Sequence, residues 1–225
     1  MNRVKEIIDQ AVKNFVERKL REREINVMYP SELFFCMRRN YYLYKNPKPF
    51  DEKILKIFES SMMVHNWVRN VLLKAYQDKL IDEFKDEERV SWREGEVEIR
   101  GRFDDMIYFR LENEPILIEV KTVRNIDGIE EAKDHHKAQL NFYLKCLSLE
   151  RGFILYIDRR DLRSKLFEVR FDEKLFEELV RRAIKLYEHL KANKVPLPEA
   201  KTSRDKMWQC AYCPYSDLCW EEDRK

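Results

Sequence analysis

The sequence predicts a mixed α/β (α+β) fold: N-terminal helices, a small mixed sheet with one inserted helix, then a long helix and a short tail. Three observations predict it. Apolar residues recur at helical spacing over residues 2–24, 51–78 and 173–193. Short apolar or alternating runs between them read as strands. Proline pairs at Pro47/Pro49 and Pro196/Pro198 close the helical stretches on either side of the strand region.

Each element follows from its own residues. In 2–24, Val4, Ile7, Ile8, Ala11, Val12 and Phe15 fall on one helical face among charged neighbours. Pro30-Ser31 opens a second, aromatic-rich helix to about Tyr44. Asp51 caps a longer one to about Asp78, with Ile54, Leu55, Phe58, Val64, Val68, Val71, Leu72 and Ala75 on its buried side. Val97, Ile99, Met106, Tyr108 and Ile116-Leu117-Ile118 read as strands, with a turn at Asn113-Glu114-Pro115. Asp127 is expected to cap a helix from Ile129 to about Leu149. Strands follow at 153–157 and 166–171, and then a helix from Glu173 to about Asn193 whose apolar stripe runs from Leu175 to Leu190. No repeat or low-complexity segment interrupts this order. The chain reads as one domain (1–225): a helical part (1–50), a core (51–195) and a cysteine-bearing tail (196–225).

Charged residues make up 38% of the 225, well above an ordinary domain, yet 44 Lys+Arg nearly balance 42 Asp+Glu. A wholesale basic coat is excluded; a local basic groove is not. The low glycine count, two threonines and many Lys, Glu and Arg suggest a heat-adapted prokaryotic source or its mobile element. Without an apolar leader or a run long enough to span a bilayer, the chain is expected in the cytoplasm.

Chemistry enters at Gly101-Arg102-Phe103-Asp104 and Glu119-Val120-Lys121. Neighbouring strands would bring Asp104 and Glu119 to one point at the sheet edge. Paired carboxylates with water and phosphate suit octahedral Mg²⁺ or Mn²⁺, which polarises a phosphodiester and activates water. Glu119 and Lys121, two apart on a strand, face one side. Glu-x-Lys alone is a common pattern of exposed strands. Here it ends a buried-type apolar strand, at hairpin distance from the aspartate.

This Asp…Glu-x-Lys arrangement resembles the PD-(D/E)xK nuclease core. With His65 upstream, Gly101-Arg102-Phe103-Asp104 and Gln139-Leu140-Asn141-Phe142-Tyr143 downstream, it resembles the RecB-like branch. The resemblance implies a restriction-endonuclease-like sheet and a divalent-metal-dependent deoxyribonuclease. It implies His65, Asp104, Glu119 and the Val120 carbonyl as metal ligands and Lys121 as the catalytic lysine. Gln139 and Tyr143, on one helical face, would brace that lysine or contact DNA. Asp105 falls on the opposite strand face, and His135 and His136 read as surface or DNA-groove residues.

Five cysteines suit metal or redox work better than a closed disulfide set inside a cell. Cys210, Cys213 and Cys219 cluster at the end, Cys36 lies near the start, and Cys146 reads as a buried thiol. Four thiolates can hold a [4Fe–4S] cluster or, less in keeping with this spacing, Zn²⁺. One cysteine before the nuclease core and three after it resembles the iron–sulfur RecB-like nucleases. Ser31-Glu32-Leu33-Phe34-Phe35-Cys36-Met37-Arg38 matches their usual opening segment, except that Met37 stands where proline is common. The size leaves no room for a fused helicase, so the resemblance is to the CRISPR-associated exonuclease family. That implies an exonuclease on single-stranded DNA, trimming spacer precursors beside the CRISPR integrase complex. A non-catalytic DNA-binding or structural subunit on the same fold is the competing expectation. Candidate strand contacts are Arg38 and Arg39, with Arg102, Arg124, Arg159 and Arg160. Tyr41, Tyr42, Tyr44 and Trp92 are candidate base-stacking rings.

Overall fold

A computed structural model describes residues 2–16, 22–110 and 114–222. Its helices are α1 (Asn2–Val16), α2 (Pro30–Leu33), α3 (Met37–Lys45), α4 (Glu52–Gln77), α5 (Asp134–Leu147), α6 (Glu173–Lys191), α7 (Glu199–Thr202) and α8 (Ser216–Glu222). The strands are β1 (Val27–Met28), β2 (Glu83–Asp86), β3 (Arg89–Glu94), β4 (Val97–Arg102), β5 (Asp105–Tyr108), β6 (Ile116–Val123), β7 (Arg151–Asp158) and β8 (Ser164–Arg170).

The strands form a five-stranded sheet, β2-β5-β6-β7-β8, and a three-stranded one, β1-β4-β3. In the larger sheet only β6 and β7 run parallel, because α5 carries the chain between them. Pleating gives β6 two buried faces. Leu117 and Val123 join the main core, with Leu140 and Leu144 of α5 and Leu179 and Ala183 of α6. Ile118 and Val120 join a smaller core with Val64 and Val68 of α4. Buried on both sides, β6 reads as an apolar run, as central strands do. Gly152 on β7 permits the α5 approach: a Cβ there would meet the Leu117 carbonyl oxygen at 3.1 Å and Leu140 and Leu144 at 3.2 Å. Gly152→Ala is therefore expected to destabilise the fold by about 1–3 kcal/mol, read as a lowered thermal midpoint.

Of the two expected caps one holds and one fails, and Asp172 caps a third helix. Asp51 accepts from the Lys53 N–H at the start of α4, and Asp172 from those of Lys174 and Leu175 at the start of α6. Asp127 instead pairs with Arg163 (2.8 and 3.2 Å), and α5 begins only at Asp134. Residues 124–133 cross the sheet as a loop pinned by buried Ile126, Ile129 and Ala132. The stretch read as one helix from Pro30 breaks at Phe34–Cys36 into α2 and α3. Residues 22–24 are not helical, residues 17–21 lie outside the described ones, and Asn113 of the expected turn does too. β2 and β3 were not foreseen. Val4, Ile7, Ile8 and Phe15 of α1 are exposed, as are Phe58 and Val71 on the side of α4 expected to be buried.

Candidate active site

The end of β6 and the bend before β5 build the site. Asp104 lies in that bend, not on the strand, one step beyond the Asp105–Ile118 pair and so opposite Glu119. Its Oδ2 accepts from the Val120 N–H (2.8 Å), which ties it to β6. Its Oδ1 stands 3.3 Å from His65 Nδ1, so α4 delivers the histidine to the same point. Glu119 and Lys121 share the α5 face of β6, and Lys121 Nζ donates to Glu119 Oε1 (2.6 Å) and Gln139 Oε1 (2.9 Å). Gln139 Nε2 donates to Glu119 Oε1 (2.7 Å) and to the Tyr143 hydroxyl (3.2 Å), which donates to the Arg102 carbonyl (3.0 Å). All six candidate side chains, His65, Asp104, Glu119, Lys121, Gln139 and Tyr143, thus form one connected constellation.

Glu119 is only 2% exposed, and its Oε2 is buried without a hydrogen-bond partner among the described residues. A buried carboxylate oxygen left unpaired is costly unless a cation or donor meets it. Burial, then the neighbouring Asp104, pushes the Glu119 carboxyl up to about 7, against the pull of Lys121. Burial also raises Asp104, but the His65 hydrogen bond and the charges of His65 and Lys121 outweigh it, and the net shift is downward. Two carboxyl groups with opposed shifts, one with an unpaired oxygen, fit a divalent cation; among the described residues no three ligands already converge on one point. Magnesium and manganese tolerate this, since they complete their shells with water, backbone carbonyl and substrate phosphate. Asp105 is buried on the other face, its carboxyl raised to about 7 by burial and then by Asp104.

Gly101 makes the Gln139–Tyr143 brace possible. A Cβ there would lie 2.5 Å from Tyr143 Cε1 and 3.1 Å from the Phe142 ring. The space a side chain would take at Gly101 is filled by the Tyr143 ring. Gly101→Ala should displace Tyr143, cost about 1–3 kcal/mol in a thermal melt, and slow cleavage by loosening Gln139 against Lys121.

A family model of the PD-(D/E)XK nuclease superfamily matches residues 40–220. The chain belongs to this superfamily. Among curated proteins, this PD-(D/E)XK nuclease is 28% identical over 203 residues to the CRISPR-associated exonuclease Cas4 of Saccharolobus solfataricus, across 88% of this chain and 89% of that one. The crystal structure of SSO0001 superposes with a TM-score of 0.63 at 23% identity, covering 96% of this chain and 95% of that one. The alkaline exonuclease LHK-Exo of Laribacter hongkongensis shares the fold at TM-score 0.51 and 12% identity, covering 75% of this chain and 90% of its own. The expected nuclease fold and enzyme class are therefore in hand, and nucleases of this superfamily use divalent metals.

The four candidate cysteines come together beside Gln209, near the first turn of α5. Cys36, Cys210, Cys213 and Cys219 line one cavity of about 40 Å³, more than the roughly 10–15 Å³ a single water needs. Burial, with the neighbouring thiols, pushes the Cys210 and Cys213 thiols up. Four soft donors of the kind that bind thiolate-held metals line this cavity, but among the described residues no three of them are gathered as a ready metal site. Cys146 does not line it; part-buried on α5, its thiol is pushed up to about 12 by burial.

Arg38, expected on a DNA groove, is instead buried. Its Nε donates to the Pro196 carbonyl (2.7 Å), and its NH1 donates to Cys219 Sγ at 3.6 Å. It belongs to the clamp between α3 and the tail, because the break at Phe34–Cys36 turns this face of α3 inward. Arg39 stays half-buried, over the Phe35 ring at 5.0 Å. Arg102 and Arg160 are taken up by Glu87 and Asp158. Tyr41 and Tyr42 are core residues, Tyr44 donates to the Val27 carbonyl, and Trp92 packs edge-on against Phe176.

Sequence reasoning missed the residues that hold Cys36. Its N–H donates to Gln209 Oε1 (2.8 Å), and Arg182 of α6 donates to the Leu33 and Phe35 carbonyls while pairing bidentately with Glu199 (3.1 and 2.7 Å). With the Arg182 side chain 11% exposed and Glu199 26%, Arg182→Ala should cost about 3 kcal/mol, checked by denaturant unfolding. The only sequence signals were Gln209 beside Cys210 and an arginine on the inward half of an amphipathic helix.

Proposed function

We propose that this chain is an exonuclease of single-stranded DNA that uses Mn²⁺ or Mg²⁺, carries a [4Fe–4S] cluster on its four clustered cysteines, and trims spacer precursors beside a CRISPR integrase complex. The observation that carries the nuclease site is the unpartnered, buried Oε2 of Glu119, set beside Asp104 and Lys121. His65, Asp104, Glu119 and the Val120 carbonyl would hold the divalent ion. That ion supplies positive charge to the phosphodiester and eases ionisation of a water. Lys121 orients the attacking water and faces the charge developing on the phosphate. Gln139 fixes Lys121 and Glu119 together, and Tyr143 fixes Gln139 to β4 through the Arg102 carbonyl.

Cys36, Cys210, Cys213 and Cys219 would hold the cluster, with the Arg38 guanidinium donating toward Cys219 as hydrogen bonds to cluster sulfurs do. The CRISPR role is supported by likeness to a CRISPR-associated exonuclease over nearly the whole length of both chains. The test is cleavage of 5′- and 3′-labelled single strands and of blunt duplex by anaerobically purified protein. Stepwise shortening of single strands, faster than of duplex, supports the reading. Binding without cleavage would favour the non-catalytic DNA-binding subunit.

A further inference from the structure

Three rings from distant parts of the chain meet beside the catalytic strand. Phe35 follows α2, His135 lies in the first turn of α5, and Trp208 lies in the 3-10 segment Arg204–Tyr212. Their centroids are 5.4 Å (Phe35–His135), 5.8 Å (His135–Trp208) and 6.0 Å (Phe35–Trp208) apart. Trp208 is 46% exposed, and Phe35 and His135 are partly exposed. The exposed indole of Trp208 offers a large flat π-face to a ligand, and the imidazole extends that face.

Trp208 and His135 line an open cleft of about 460 Å³ with Phe34, Lys133 and Lys206. His135, Gln139 and Tyr143 recur every four residues on one face of α5, so His135 continues the brace by one turn, about 6 Å from Gln139 along the axis. The neighbouring His136 is anchored by its Nδ1 to the Tyr156 hydroxyl (2.7 Å), and Tyr156 stands directly across β7 from Lys121. The cleft therefore reaches to within one helical turn of Gln139. Its rim carries Glu131, Asp134 and Asp205 against Lys133 and Lys206, so charge does not draw a polyanion here and the rings must supply the attraction. Burial, then nearby lysines, lowers His135 to about 4, which keeps its ring neutral and suited to stacking rather than to phosphate pairing.

We propose that His135 and Trp208, backed by Phe35, form a stacking subsite for an unpaired nucleobase of the strand whose phosphodiester lies at Lys121. This rests on the nuclease reading for the identity of the strand. A flat π-face, access from solvent and position one turn from Gln139 match an unstacked base of single-stranded DNA; duplex bases are stacked on one another and cannot enter.

The test is binding without cleavage, so that it reads independently of activity. Fluorescence anisotropy in chelator would compare an oligothymidylate with an equal-length strand carrying abasic residues. Wild type should bind the abasic strand about 5- to 100-fold more weakly, the range for loss of one stacked base. Trp208→Ala should bind the intact strand more weakly by a similar factor and no longer distinguish the two. Trp208→Phe should restore the distinction, and His135→Ala should reduce it. Equal binding of both strands by wild type, retained discrimination in a folded Trp208→Ala, or no strand binding at all would overturn the subsite. Failure of cleavage with discrimination intact would overturn only the nuclease reading.

Discussion

Replacing Lys121 with alanine is expected to slow metal-dependent DNA cleavage by about 10²–10⁴-fold while strand binding persists. The reason is positional. Lys121 Nζ is held between Glu119 Oε1 and Gln139 Oε1, at the end of the strand that presents both site faces. Its removal strips the cationic group from the reaction point but leaves Glu119 hydrogen-bonded to Gln139 Nε2. The fold is therefore expected to survive, and single-turnover rates on labelled DNA, with a parallel thermal melt, check it. A variant that melts like wild type and cleaves at the same rate would remove Lys121 from the chemistry.

The second large effect concerns the cysteines. Cys36→Ser is expected to abolish the broad visible absorbance of an iron–sulfur cluster and to lower the thermal midpoint. A cross-link between residues 36 and 210 closes a loop of about 170 residues, which in the chain-entropy account removes about 5 kcal/mol from the unfolded ensemble. For a domain of this size that is about 10–20 °C. Protein contacts span the same join: Arg182–Glu199, Cys36–Gln209, Arg38–Pro196 and the Tyr215 hydroxyl accepting from the Lys48 N–H. The variant should therefore still fold, with the tail held less firmly. Unchanged colour and midpoint in Cys36→Ser would remove that residue from the cluster.

What could be read in advance tracks how local its cause is. Strand alternation alone puts Glu119 and Lys121 on one face, and the i, i+4 spacing alone puts Gln139 under Tyr143. Asp51 caps its helix because its partner, the Lys53 N–H, is two residues away. β2 was hidden because Glu83-Phe84-Lys85-Asp86 carries a single apolar side chain, and its identity comes from pairing with β5. Asp127 looked like a cap, but Arg163, 36 residues on, claims its carboxylate. Arg38 looked like a phosphate contact, but its partners Pro196 and Cys219 come from the other end of the chain. The Phe35–His135–Trp208 triad has no sequence signature at all, since only the tertiary fold brings residues 35, 135 and 208 together.

The most direct test is a Mn²⁺ titration of DNA cleavage by wild type and the nearly isosteric Asp104→Asn. Asp104 is the residue that holds both His65 and the β6 backbone, beside Glu119 with its unpartnered oxygen. The structure predicts cleavage that rises with Mn²⁺ in wild type, vanishes with chelator, and is absent in Asp104→Asn at every Mn²⁺ concentration. Equal metal-dependent rates in the two proteins would contradict a metal site at Asp104 and Glu119.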